Sequence, residues 1–294
     1  MFRGVGTAIV TPFKDGKIDF SAYEKLLNFQ LENGVDALIV LGTTGEAPTV
    51  NDEEREKLID KTLELANNKV PIIVGAGTNS TEKTIRMVKQ AEKLGADGVL
   101  LVTPYYNKPT QNGLYEHYRY ISERTSLKII VYNVPGRTGV NIAPETMVRL
   151  VEDCENIAGL KEAAANMNQI DRMVKLTKDV RNDFMVYSGN DDHAFHLMCT
   201  GGDGVISVAS NIIPGEIAQM CHSLFAGNLE RAREIHHKYF TLMKTLFIET
   251  NPIPVKTALW LMGYIENELR LPLVKATEST VEKLKEVLRE SGLL

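Results

Sequence analysis

The chain has 294 residues, 44% of them hydrophobic and 24% charged, with a formal net charge of -5. That length buries a sizeable core, as one large domain or two ordinary ones. The absence of any basic run excludes a nucleic-acid surface of clustered Lys and Arg, and no apolar run approaches the about 20 residues that a membrane-spanning helix needs.

The chain opens on MFRGVGTAIVTPFKDG, which lacks the apolar stretch and small-residue cleavage site of a signal peptide. Strand-like segments follow at Val5–Val10, Ala37–Leu41, Pro71–Val74, Gly98–Val102, Lys128–Tyr132, Ile157–Lys161, Phe184–Tyr187 and Gly204–Val208. They are continuously apolar rather than alternating, the pattern of parallel strands buried on both faces. Amphipathic segments such as Asn51–Ala66 and Thr81–Leu94 lie between them. Asn79, followed by Glu82, reads as the cap that starts the second of these, and Gly95 as its stop. Eight such units, spaced roughly 20 to 34 residues apart, predict an α/β fold of the (β/α)8 barrel type. A doubly wound open sheet is the alternative for the same alternation.

After about Ala226 no strand-like segment remains. Leu229–Phe247, Ile253–Met262 and Glu278–Leu288 read as helices set off by Pro252, Pro254 and Pro272. The expected division is a barrel over 1–225 and a helical appendage over 226–294. Cys154, Cys199 and Cys221 are odd in number and show no CxxC spacing, so they read as free thiols of a reducing compartment, and a cytoplasmic location is expected.

The unusual residues gather at the C-terminal ends of the strands, where barrel enzymes place their chemistry. Lys161 ends the run Ile157-Ala158-Gly159-Leu160. Burial there penalises its ammonium, and a neutral amine can attack a ketone carbon to form an imine. Taken alone, Lys161 would more often pair with Glu162 or snorkel to solvent, and it is the company of the other strand-end residues that favours the chemical reading. Tyr132 also ends a strand, so its phenol can trade protons beside Lys161, or simply pack at the rim with its hydroxyl in water. Gly42-Thr43-Thr44-Gly45-Glu46 offers backbone amides and two hydroxyls suited to a carboxylate, or an ordinary strand-to-helix turn. Gly75-Ala76-Gly77 lacks the third glycine of a dinucleotide loop and reads as a tight turn. Asp191, Asp192, His193 and His196 read as a solvated helix start, not a metal site, since no HExxH pattern is present.

GTTGE, TPYYN, YNVPGRTG, GLKEA and GVISV, in this order and spacing, give the chain a family resemblance. It resembles the dihydrodipicolinate synthase and N-acetylneuraminate lyase superfamily of class I aldolase barrels, the dihydrodipicolinate synthase branch above all. The similarity spans essentially the full length, including Asn251-Pro252-Ile253-Pro254-Val255-Lys256 in the tail. The resemblance implies Lys161 as the Schiff-base residue and Tyr132 as the proton shuttle. It links Tyr132 through Thr43 to a Tyr106 supplied by a neighbouring subunit. It further implies Thr44 and Ile206 as pyruvate-holding residues and Arg137 as the site for the carboxylate of L-aspartate 4-semialdehyde. The implied assembly is a homotetramer, a dimer of dimers, working without metal or organic cofactor. Related sialic acid and keto-deoxy-sugar aldolases share the lysine and tyrosine, but a polyhydroxylated aldehyde calls for neutral hydrogen bonders where Arg137 stands. A non-catalytic barrel is the remaining alternative.

Relatives inhibited by lysine hold it at the tight dimer interface. They use a serine after GTTGE, a histidine at the start of the next helix and a carboxylate on the helix after the third strand. This chain has Ala47, Arg55 and Lys83 at the matching positions, although Asn79 and Tyr105 remain. Insensitivity to L-lysine is therefore expected.

Overall fold

A computed structural model describes residues 1–294. Eight parallel strands form the centre: β1 (Gly4–Ala8), β2 (Ala37–Val40), β3 (Ile72–Gly75), β4 (Gly98–Val102), β5 (Lys128–Asn133), β6 (Ile157–Glu162), β7 (Met185–Ser188) and β8 (Gly204–Ser207). β1 pairs with β2 on one side and with β8 on the other, so the sheet closes and the open-sheet alternative falls. The predicted strands lie within two residues of those observed at either end, and Gly98–Val102 is reproduced.

Helices follow the strands in turn: α1 (Phe20–Glu32), α2 (Asp52–Ala66), α3 (Thr81–Leu94), α4 (Gln111–Ser122), α5 (Pro144–Asp153), α6 (Met167–Val180), α7 (Asp191–Cys199) and α8 (Pro214–Phe225). A capping box starts α2, with Asn51 accepting from the Glu54 amide and Glu54 accepting from the Asn51 amide. The start of α3 differs from expectation: Ser80, not Asn79, is its cap, accepting from the Lys83 amide. A serine hydroxyl next to the first turn reaches that donor, while Asn79 gives its carbonyl to Asn107. Gly95 does end the helix, in the left-handed conformation that glycine adopts without steric cost.

Continuous apolar strands make sense because each faces two cores. Outward residues such as Leu38, Val74, Leu101, Val131 and Leu160 join the helices in one large cluster. Inward residues, among them Ile39, Ile73, Leu100, Ile130, Tyr132 and Ile206, fill the barrel. Phe2, just ahead of β1, stacks on Tyr187 at 4.4 Å and accepts the tyrosine hydroxyl at its carbonyl, closing the lower end.

Three further helices complete the chain: α9 (Leu229–Thr245), α10 (Ile253–Leu261) and α11 (Glu278–Glu290). Ala232, Tyr239, Val255, Ala258 and Leu284 belong to the same apolar cluster as the barrel helices. No helix of the chain is long and apolar enough to cross a membrane.

Candidate active site

Along β6 the side chains alternate, so Leu160 packs outward and Lys161 points into the barrel mouth. Tyr132 stands opposite it in register on β5. Lys161 is 5% exposed, and burial pulls its ammonium down to about 7, with Asp191 opposing the shift and Arg137 adding to it. A usable share of the amine is therefore neutral at pH 7. Glu162 faces the other way, where Asn133, Gln169 and the Ala164 amide bind its carboxylate. The Lys161–Glu162 pairing open at the level of sequence does not form.

The Tyr132 phenol is buried, which raises its pKa; Arg137 and the Thr43 hydroxyl partly offset this. It remains a proton donor at neutral pH. Lys161, Tyr132, Thr43, Thr44 and Arg137 all line one cavity of about 130 Å³. The Gly42–Glu46 turn is closed by Gly45 N–H to Gly42 O and Glu46 N–H to Thr43 O, both 3.1 Å. Thr44 Oγ1 accepts from Asn251 Nδ2 at 3.0 Å, which leaves the Thr44 hydroxyl proton for another acceptor. Arg137 donates one Nη2 bond to Asn251 O at 3.0 Å, and its guanidinium stands between the cavity and an outer cleft lined by Gly136 and residues 247–251.

Two expected residues lie elsewhere within the single chain. Ile206 is wholly buried in the barrel-filling cluster that also contains Tyr132. Tyr106 is 89% exposed, on a loop residue with φ of 72°. The neighbouring Tyr105 lines a second, larger cavity of about 470 Å³ that also touches Thr43 and Tyr132, with Ala47, Arg55 and Lys83 on its walls.

Three residues of the site had no role in it assigned from the sequence. Asp191 is a buried carboxylate and not part of a solvated helix start. It accepts from Ser207 Oγ and, at 3.0 Å each, from the amides of Val208 and Ala209, and it is the anion whose field Lys161 feels. Gly189 makes room for the lysine, since a Cβ there would come within 3.1 Å of Lys161 Cε and 2.6 Å of Ala163 Cβ. Asn251, quoted above only as part of a tail motif, touches both Thr44 and Arg137. Gly75 and Gly77 are required by close approach of strand ends: added Cβ atoms would lie 1.9 Å from Leu41 O and 2.3 Å from Val102 N. No group of three or more His, Cys, Asp or Glu side chains is placed to hold a metal ion.

A buried, partly neutral lysine and a phenol at the C-terminal end of a closed barrel are the marks of a Schiff-base enzyme of the class I aldolase type. The chain belongs to the dihydrodipicolinate synthetase family, whose family model matches residues 1–291. It is 70% identical to the 4-hydroxy-tetrahydrodipicolinate synthase of Thermotoga neapolitana over 294 residues, 100% of both chains. The crystal structure of dihydrodipicolinate synthase from Thermotoga maritima is 68% identical, with a TM-score of 0.99 and 100% of each chain covered. A dihydrodipicolinate synthase variant described as monomeric matches at 68% identity and a TM-score of 0.99, covering 100% of this chain and 98% of its own.

Proposed function

We propose that this chain is a cytoplasmic 4-hydroxy-tetrahydrodipicolinate synthase, joining pyruvate to L-aspartate 4-semialdehyde on the diaminopimelate route to lysine. The observation that carries the reading is the buried Lys161 amine, in register with Tyr132 inside a cavity that also holds Thr43 and Thr44. Neutral Lys161 attacks the pyruvate ketone carbon. Tyr132 passes a proton to the departing oxygen, water leaves, and a protonated imine forms. Thr44 and the turn amides take the pyruvate carboxylate, and Ile206, packed with Tyr132 in the barrel-filling cluster, supports the bound pyruvate from beneath.

The imine withdraws electrons from the neighbouring methyl group, which loses a proton to give an enamine. The enamine carbon then adds to the aldehyde carbon. Arg137 holds the aldehyde's own carboxylate, a role that favours this partner over a sugar aldehyde. Finally the amine of the condensed chain attacks the imine carbon, closes the ring and returns Lys161 as a free amine. Every proton and electron pair in this sequence is handled by the substrates and the chain's own groups.

The barrel of 1–225 supplies this chemistry, and the helices of 226–294 deliver Asn251 to it. Tyr106 completes the relay Tyr132–Thr43–Tyr106 from a second copy in a homotetramer. Its exposure, beside a cavity reaching Thr43 and Tyr132, supports that placement. Incubation with pyruvate and borohydride, followed by peptide mass mapping, tests the reading. A reduced three-carbon adduct on Lys161, and consumption of the enamine by aspartate semialdehyde, are expected. An adduct on another lysine, or turnover only with a sugar aldehyde, would overturn it.

A further inference from the structure

Far from the reacting atoms in sequence, Lys256 of α10 and Glu46 of the Thr43–Thr44 turn form an ion pair of 2.6 Å, with both side chains 0% exposed. Every polar group of the pair is used. Lys256 Nζ also donates to Thr11 O at 2.9 Å and stands 4.3 Å from the centre of the Phe13 ring. Glu46 Oε2 accepts the Arg270 amide at 3.1 Å. Four segments therefore meet at one point: the loop after β1, the turn after β2, α10 and the extended stretch beyond it.

Burying two charges is a poor way to gain stability, because desolvation cancels much of their attraction, and apolar replacements of similar size often do as well. What such a pair supplies is a fixed geometry. Glu46 has φ of 51°, a left-handed backbone that a non-glycine residue keeps only under external constraint. Its own amide closes the turn onto Thr43 O. Thr11 Oγ1 pins the same turn through Gly45 O at 2.7 Å. At the other end of the pair, α10 begins two residues after Asn251, which bonds both Thr44 and Arg137.

We propose that the buried Glu46–Lys256 pair is a positioning device for both substrates, setting the Thr43–Thr44 turn for the pyruvate carboxylate and, through Asn251, the Arg137 guanidinium for the aldehyde. Neither residue touches a reacting atom; both act through the groups they hold. This inference rests on the synthase reading above and deepens it. Displacement of such holding groups by a fraction of an ångström costs on the order of tenfold to a hundredfold in rate or affinity.

The experiment compares the full-length parent with Glu46→Gln/Lys256→Met, which removes both charges together, and with Thr11→Val, which cuts only the tie to Gly45. Borohydride trapping on the parent first establishes the imine on Lys161, so failure of the synthase reading is seen separately. The double variant is expected to melt within a few degrees of the parent, yet to need about tenfold more pyruvate and semialdehyde for half-maximal rate. The pH profile of imine formation should move little, and only toward higher pH, since burial, the main cause of the low Lys161 value, is kept and only the smaller Arg137 contribution is disturbed. Thr11→Val should raise the pyruvate requirement alone, by roughly threefold. Parent-like Michaelis constants in a folded double variant would overturn the proposal. So would a loss of rate in proportion to lost folded protein with both constants unmoved, the mark of a merely structural pair. If the double variant does not fold, Thr11→Val decides: an unchanged pyruvate requirement overturns the proposal.

Discussion

Tyr132 and Lys161 are register partners on β5 and β6, and Lys161 Nζ stands 4.4 Å from the centre of the Tyr132 ring. The ring face attracts an ammonium by about 0.5 to 2 kcal/mol. Burying that charge costs several kcal/mol, so burial wins and the amine falls to about 7. The same contact sets the phenol ring beside the nitrogen that must form and release an imine.

Imine formation should therefore rise with pH as Lys161 loses its proton near 7 and level off above about pH 8. Single-turnover trapping with pyruvate and borohydride across pH 5.5 to 9 measures this. A flat profile, or one falling with pH, contradicts the assignment.

The depressed lysine also carries a stability cost. Its ordinary value of 10.5 applies to the unfolded chain and about 7 to the folded one. Between these values the unfolded state binds a proton that the folded state does not, so stability rises with pH across that window and the cost is complete below about 7. Lys161→Met should abolish activity while stabilising the fold at pH 7 by on the order of 2 to 4 kcal/mol, and by less near pH 9.5. Urea unfolding of both proteins at the two pH values checks the sign.

Tyr106→Phe should lower turnover by about a hundredfold while shifting the pyruvate requirement little, because it breaks a proton relay and leaves the binding contacts intact. Mixing Tyr106→Phe with Tyr132→Phe subunits should recover part of the activity if the residue crosses an interface. No recovery, with subunit exchange verified by native mass spectrometry, counts against that geometry.

Arg137→Gln should raise the semialdehyde requirement tenfold to a hundredfold, the worth of a charge-assisted bond to a carboxylate, about 1.5 to 3 kcal/mol. Pyruvate should still be trapped on Lys161. Because Arg137 helps depress the lysine, the trapping profile should move to higher pH. Steady-state kinetics with each substrate varied separates the two effects, and an unaltered semialdehyde constant argues against the role.

L-Lysine should inhibit weakly or not at all. Ala47, Arg55 and Lys83 line the 470 Å³ cavity beside the site. Arg55 does not swing into solvent: it is 2% exposed, its Nε and Nη1 have no partner, and burial brings it only down to about 10, still a cation at pH 7. Lys83 is exposed at the cavity wall. Like charges there cost a cationic ligand roughly tenfold to a hundredfold in affinity. Initial rates at saturating pyruvate, titrated with lysine into the millimolar range, decide it; strong saturable inhibition refutes it.

The barrel was legible in the sequence because its strands are buried on both faces, which writes an unbroken apolar run into four or five consecutive residues of strands such as β2 and β4. Lys161 and Tyr132 were legible for a related reason: a polar group at the end of such a run has to sit at the barrel mouth. These are short-range facts, carried by neighbours in the chain. The cap of α3 was misplaced by one residue, since Asn79 and Ser80 are both good caps and only the loop's path decides which side chain faces the first turn.

Other features exist only once the chain has closed on itself. Asn251 reaches Thr44 across 207 positions, and Lys256 reaches Glu46 across 210. Asp191 reads as a solvated helix start until the turn after β8 folds over it and supplies two amides. Hydrophobic periodicity reports whether a residue is buried, through the water it avoids. It says nothing of which distant group will answer a buried charge, because that pairing is set by where the barrel's ends and the returning helices come to rest.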